Sequence, residues 1–523
     1  MKEILSKFYG FFPLILLLVF YGFKAIYFPI HDFANYYFGG EFLAEQHFSS
    51  SIYFPFEFNR AINTTGQTGI FASYTPNTPF LALLFSPFSL LPIAIAKLVF
   101  NGISILLFVY SLKKLADFYK IESLYLLLIP ILFFIPIKNE ILFGQVYFLI
   151  FFLISESWLA YQKNQLKLGS CYLAIAILLK VFPALLILLP LFKRQFKFIL
   201  YVGGFGLILL SVSVLFSGIE IWQFMLTDVL SKASQGEISE AYVPNYQSFF
   251  MFFKELLVYE PTLNNTVIFN SPEIFYSVLV TIKITLVTFG YFVTRKTEDY
   301  FMVFSYWILV MILISPYGST YTLILLLFPC FALLQSNIAK PKKNAGLLLI
   351  FLANNLPTTA FLKYPFPLSY LRLFLLLLFL ILLLSHFHKH INYKIAGFIA
   401  LISAVFTFNF AQVKTSNSKY FLEKGSPILI YDFQLKNQQL IYSFWNEKGE
   451  NIRSIPFKYS NSKPVELKGK KIIYNGNSVI SDGSNKRNPM LIDGKMILYL
   501  SDFDRGIGFY TLRKIMLNPT DNE

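Results

Sequence analysis

Leu371-Arg372-Leu373-Phe374-Leu375-Leu376-Leu377-Leu378-Phe379-Leu380-Ile381-Leu382-Leu383-Leu384 is apolar at every position but one. It lacks the alternation of apolar and polar residues that a membrane barrel strand needs. Backbone polar groups in lipid are satisfied only in helices or closed barrels, so this run reads as a transmembrane helix. A helix needs about 20 residues to cross about 30 Å of hydrocarbon, and further windows of roughly that length lie on both sides. Working outward from 368–385, apolar runs lie near 8–29, 77–92, 95–112, 122–137, 146–161, 168–190 and 198–216, then near 274–294, 300–315, 319–336, 345–362 and 395–412. The fold class is an all-α polytopic membrane bundle of twelve or thirteen transmembrane helices. The Pro-rich run 77–92 is the one whose crossing is open, since it reads equally as re-entrant.

Composition agrees. The 523 residues are 56% hydrophobic and 14% charged, too apolar for a soluble domain of that length. A net charge of +15 raises nucleic acid as a partner, but the basic residues form short clusters between spans rather than one face or arm. Phe192-Lys193-Arg194-Gln195-Phe196-Lys197, Arg295-Lys296, Lys340-Pro341-Lys342-Lys343 and His386-Phe387-His388-Lys389-His390 fall on the cytoplasmic side if the amino terminus is inside. Lys113, Lys114 and Lys163 fall on the opposite side in that topology, against the rule. No small-residue cleavage site follows the first apolar run, so 8–29 reads as a retained span. Cys171 and Cys330 both sit in apolar runs and read as packing residues.

Two connections are too long for turns, 30–76 and 217–273, and both are expected outside. The transmembrane domain is expected over 1–413, with a small β-rich, periplasmic domain over 414–523. There the runs Ile428 to Tyr431, Lys471 to Tyr474 and Met496 to Leu500 are separated by Asn-Gly and Asp-Gly turn signals. The stretch Ile492 to Asp502 resembles one repeat of the β-propeller type of periplasmic TolB-like proteins.

No zinc, P-loop or dinucleotide fingerprint occurs, so chemistry must come from isolated polar residues. Asp32 directly follows the first span. A carboxylate there meets both water and lipid headgroups and can take a proton from an acceptor hydroxyl. By position alone it serves equally as a helix cap. Lys180 interrupts the apolar run Ala174 to Pro190, where a lysine is costly enough to suggest a ligand, the alternative being a stem that snorkels to an interface. Arg60 is a second candidate for an anion, or a solvated loop residue. Gln145 and Asn245 are candidates for sugar hydroxyls. Glu41 and Glu45 share a helix face, a spacing that admits a divalent ion and more commonly marks a solvated face. His386-x-His388-x-His390 reads as a basic flank. No cofactor is expected; a divalent metal is compatible but not called for.

One ordered set of motifs extends well past single residues. Asp32-Phe33-Ala34-Asn35-Tyr36-Tyr37 opens the first long loop, followed by Tyr53, then Tyr74-Thr75-Pro76-Asn77-Thr78-Pro79, Pro87 and Leu91-Pro92. Gly144-Gln145-Val146, Lys180-Val181-Phe182-Pro183, Asn245-Tyr246-Gln247-Ser248 and Ser315-Pro316 come after in order. Over roughly 30–335 the chain resembles a GT-C fold glycosyltransferase of family 87, the polyprenol-phosphate-mannose-dependent mannosyltransferase-like group. Tyr147 and Tyr321 stand where the family commonly has Asn and His.

The resemblance implies a GT-C-like bundle and an inverting hexosyltransferase with Asp32 as base. It implies Tyr36, Tyr37, Arg60, Tyr74, Gln145, Lys180, Asn245 and Tyr321 as substrate-binding candidates. The implied partners are a polyprenyl-phosphate sugar donor (mannose by analogy), a lipid-linked or cell-surface glycan or glycolipid acceptor, and the lipid bilayer, with no nucleic acid. The implied location is a bacterial inner membrane, multi-pass, with the active site facing the periplasm. Competing readings are a transporter or flippase for a lipid-linked glycan, and a non-catalytic membrane scaffold.

Overall fold

The structure is a computed structural model. It describes residues 2–30, 32–67, 69–240, 242–243, 245–260, 263–265, 267–410, 416–422, 429–446 and 449–517, without the side chains of 2–8 and 446. The expected boundary at 413/414, His31 and Ile428 lie outside the described residues.

Every expected span falls on helix. Six helical stretches among the described residues are long and apolar enough to cross a membrane: Tyr9–Tyr27, Ile93–Phe118, Phe196–Ser217, Pro272–Lys296, Leu368–His386 and Tyr393–Phe410. A seventh is the pair Ser123–Leu132 and Phe134–Phe143, bent by 62°. The bend follows Pro130, which has no N–H to give the helix, and is centred on the non-helical Phe133. The remaining expected spans are shorter helices, Tyr147–Gln162, Leu166–Leu179, Phe182–Phe192, Tyr300–Ile314, Tyr321–Gln335 and Lys340–Asn355 among them.

One segment takes the re-entrant path that the sequence left open and another departs from its expected single span, and the two changes compensate. Pro79–Leu90 is twelve residues long, about 18 Å at 1.5 Å per residue, well short of about 30 Å. Both of its flanks lie on one face. Tyr37 OH donates to Leu91 O at 2.9 Å, and Lys97, just beyond, donates through Nζ to Pro29 O at 3.0 Å and to Leu142 O at 2.8 Å. The segment is therefore re-entrant. The expected single span 168–190 is instead a hairpin of Leu166–Leu179 and Phe182–Phe192, with Lys180 extended at its apex (φ −144°, ψ 125°). Its two ends meet on one face, where Ser170 Oγ donates to Phe198 O at 3.0 Å.

Exchanging one crossing for another reverses the sense of the passes between them, which moves Lys113, Lys114 and Lys163 to the face of the other basic clusters. On that face Lys114 pairs with Glu156 at 2.5 Å, Trp158 Nε1 donates to Tyr119 OH at 2.6 Å, and Tyr119 stacks on Phe301 at 3.8 Å.

The carboxy-terminal region is β. A five-stranded antiparallel sheet takes in Lys419–Tyr420, Thr511–Met516, Met496–Ser501, Lys486–Ile492 and Ser462–Pro464 in that spatial order, with two three-stranded sheets beside it. The strands expected over 471–474 and 496–500 are present, and the first expected run corresponds to Leu429–Lys436. This region rests on the two long loops. Phe56 stacks on Tyr431 at 3.6 Å, Arg487 pairs with Glu57 at 2.8 Å, and Arg505 pairs with Glu260 at 2.8 Å. Ile507, from a β-region turn, is 1% exposed and belongs to the apolar core of the bundle itself. The long loops and the β region thus form one extramembrane body on the face opposite the basic clusters.

Candidate active site

The site grows from the end of the first helix. Asp32 occupies the N-cap position of Phe33–Ala44, but its side chain makes no capping bond. Its Oδ2 accepts from Gln145 Nε2 at 2.5 Å instead. Gln145 Oε1 in turn accepts from Tyr36 OH at 2.5 Å, so one buried amide orients both groups. Gln145 reaches this position because Gly144 ends Phe134–Phe143 in a left-handed turn (φ +67°). A Cβ on Gly144 would also lie 2.8 Å from Phe33 Cβ, so only glycine permits the approach. Lys97 braces the same junction through the two carbonyls given above, tying the exit of the first helix to the end of 134–143.

The second corner is the turn Tyr74-Thr75-Pro76-Asn77-Thr78. Tyr74 OH donates to Thr78 O at 2.8 Å and Tyr53 OH to Asn77 O at 2.9 Å, while the two rings meet edge to face at 5.5 Å. These buried tyrosines hold Asn77 in place. Its Oδ1 accepts from Lys180 Nζ at 2.7 Å, and that ammonium also lies 5.6 Å from the Tyr36 ring centroid. Lys180 is presented by the apex of the helical hairpin, in extended backbone between the end of 166–179 and the helix that starts at Phe182.

Asp32, Tyr36, Asn77, Gln145 and Lys180 all line one cavity of about 490 Å³. That is the scale of a small-molecule site. Tyr147 and Tyr321 form part of the same wall with rings 5.1 Å apart. Tyr246, Tyr317 and Lys283 complete the lining in ways the sequence reading did not single out. Lys283 and Lys97 carried a legible signal, a lone lysine in an apolar run, the same signal that drew attention to Lys180.

Four other candidates lie outside the lining. Tyr37 is spent on Leu91 O, and Tyr74 is a fully buried brace behind the 74–78 turn. Arg60 is exposed and sits 5.5 Å over the Phe56 ring at the contact with the β region. Asn245 is exposed, and the adjacent Tyr246 faces the cavity in its stead. Glu41 is partly buried, and its carboxyl is raised by that burial and by the charge of Glu45. Among the described residues no three His, Cys, Asp or Glu side chains gather into a metal-ligand cluster.

The external wall comes from 230–239. Leu230, Ala233, Ser234, Ile238 and Ser239 line the cavity, and a β-region turn backs them. Lys232 Nζ donates to Asp502 O at 2.9 Å, Asp502 Oδ1 at 3.0 Å and Arg505 O at 2.8 Å, and Gly506 N donates to Ser239 O at 2.8 Å. Burial would lower the Lys232 ammonium, but the charges of Asp502 and Glu237 outweigh it and hold it above the usual lysine value.

Chemically, the cavity offers a hydrogen-bonded carboxylate, two ammonium groups and an aromatic wall. The family model of glycosyltransferase family 87 matches residues 74–316. No curated protein and no solved structure matches the chain. The matched stretch contains Asn77, Gln145, Lys180 and Lys283. Asp32 precedes it and is joined to it through Gln145.

Proposed function

We propose, from the match of residues 74–316 to the model of glycosyltransferase family 87 and from the membrane helices, that the cavity transfers a sugar from a polyprenyl-phosphate donor to a glycan or glycolipid acceptor with inversion. Asp32 is the general base. The acceptor hydroxyl oxygen attacks the anomeric carbon as its proton passes to the Asp32 carboxylate. The bond from that carbon to the phosphate oxygen breaks, and the polyprenyl phosphate leaves with the electron pair. The leaving group concentrates negative charge, which a fixed cation in a low-dielectric cavity stabilises. The observation that carries this reading is the Asp32 carboxylate held at 2.5 Å by Gln145 in a cavity shared with Lys180.

In this reading Tyr36, Gln145 and Tyr321 meet sugar hydroxyls, and mannose is the sugar that family analogy favours. A GT-C-type bundle is the architecture this reading expects. The gathering of basic residues on the face away from the cavity supports an exoplasmic site, in a bacterial inner membrane the periplasmic face. It also supports a transmembrane domain ending near 413 and a periplasmic β domain after it.

The test is transfer from a labelled polyprenyl-phosphate sugar by the full-length protein in proteoliposomes. Asp32→Asn is expected to lower the rate by about 100-fold or more, the usual worth of a positioned base. Full transfer by Asp32→Asn would exclude the mechanism. The broken hairpin at Lys180 and the re-entrant 79–90 favour, as a second reading, transport of a lipid-linked glycan. Movement of labelled lipid between leaflets without transfer would support that instead.

A further inference from the structure

The charged residues lining the cavity are Asp32, Lys180 and Lys283, a net excess of one positive charge. Lys180 is engaged with Asn77. Lys283 makes no hydrogen bond or ion pair among the described residues. It lies eleven residues into Pro272–Lys296, about 16 Å along the helix axis from its start, too deep for its stem to carry the ammonium to either end. The cavity it reaches is lined in part by apolar side chains, Leu185, Met311 and Ile314 among them. Its own helix is partly covered by protein, with 39% of its apolar window buried. A cation at membrane depth, half-buried, reaching a cavity from a membrane-spanning helix, is unfavourable without an anionic partner.

We propose that Lys283 is the phosphate-binding residue for a lipid phosphate whose chain lies along Pro272–Lys296 in the bilayer. Asp32 and Gln145 then stand at the other, polar side of the cavity, where the sugar and the acceptor hydroxyl meet. Lys180, bonded to Asn77, orders that polar side rather than serving as the first anchor of the phosphate. A free phosphate ion would satisfy the charge but not the apolar setting, so the ligand class is an isoprenoid or other long-chain lipid phosphate. This assignment rests on the transfer reading for its role in the reaction, but binding tests it independently.

The experiment is equilibrium binding of a radiolabelled long-chain polyprenyl phosphate to the full-length protein in nanodiscs, alongside sugar transfer. Lys283→Met and Lys283→Gln are expected to weaken binding by tenfold or more, the scale of a hydrogen bond to a charged group. Lys283→Arg is expected to stay within about threefold of wild type, while in Lys283→Gln the donor KM is expected to rise and kcat to fall, since the same phosphate carries the charge of the leaving group. Unchanged binding in a monodisperse Lys283→Gln variant would overturn the assignment, as would equal competition by inorganic phosphate, which would remove the lipid from it. Lys283-dependent binding by a wild-type protein that transfers no sugar would uphold the site and sink the transfer reading alone.

Discussion

Gln145→Leu is the substitution that probes the proposed chemistry most directly, because it keeps the size of the side chain and removes both of its hydrogen bonds. One is the Nε2 donation to the Asp32 carboxylate and the other the Tyr36 hydroxyl donation to Oε1, each 2.5 Å long. A bond to a charged group is worth about 1.5–3 kcal/mol and one between neutral groups about 0.5–1.5 kcal/mol, so about 2–4.5 kcal/mol of ordering at the base is lost. At 1.4 kcal/mol per factor of ten, full expression in the transition state lowers kcat by roughly 30- to 1600-fold. Tyr36→Phe removes only the neutral bond, and the same arithmetic gives roughly 2- to 12-fold. The assay is transfer kinetics in proteoliposomes at saturating acceptor. Gln145→Leu with wild-type kcat, or with a smaller effect than Tyr36→Phe, would refute the claim that this amide orients the base.

The contact between the β region and the cavity wall predicts that Lys232→Met costs about 3 kcal/mol or more, because the buried Asp502 and Glu237 lose their shared cation. Asp502→Asn in the same chain should restore part of that in denaturant unfolding; strict additivity would remove the coupling. Asp482 predicts an acid limb: burial alone would raise its carboxyl, but hydrogen bonds from Lys486, Ser484 and Ser416 outweigh it and hold it below 3.8. A depressed value in the folded state means its stabilisation is present above 3.8 and lost as pH falls through the folded value. The melting temperature of Asp482→Asn should therefore fall less steeply with acid than that of wild type; parallel curves would contradict this.

Much of the bundle was legible because long apolar runs force helices, whatever they pack against. Their path was less so. Pro79, Pro87 and Pro92 mark 79–90 as broken without saying that it turns back, which depends on Tyr37 and Lys97 gripping the far flank. Likewise Pro183 signals a break after Lys180, but the hairpin is fixed by the meeting of Ser170 and Phe198. At the site, Asp32, Gln145 and Lys180 stood out by type and position. The pairing of Lys180 with Asn77 spans 103 residues and leaves no local trace. Tyr74 and Tyr37 looked alike as motif residues, yet what each hydroxyl reaches, Thr78 O and Leu91 O, is set by the fold and not by the motif.

The boundary between the membrane part and the β region is more apparent in composition than in the site. The stretch matching family 87 stops at residue 316, while the wall that closes the cavity outside leans on residues 502–508. A Cβ on Gly506 would lie 2.4 Å from the Ile238 carbonyl carbon, and Ile238 itself lines the cavity, so the turn is fitted to the wall at backbone contact. Two buried ion pairs, Lys232 with Asp502 and Arg505 with Glu260, hold the turn there. Desolvation makes such pairs weak net stabilisers, but a displaced turn would bury charges without partners, so they penalise any other docking. The shape of the external half of the cavity, where an acceptor would enter in the proposed transfer, is thereby set by a part of the chain beyond the family match. Acceptor choice in this protein is then expected to follow the β region, while donor binding follows the helices.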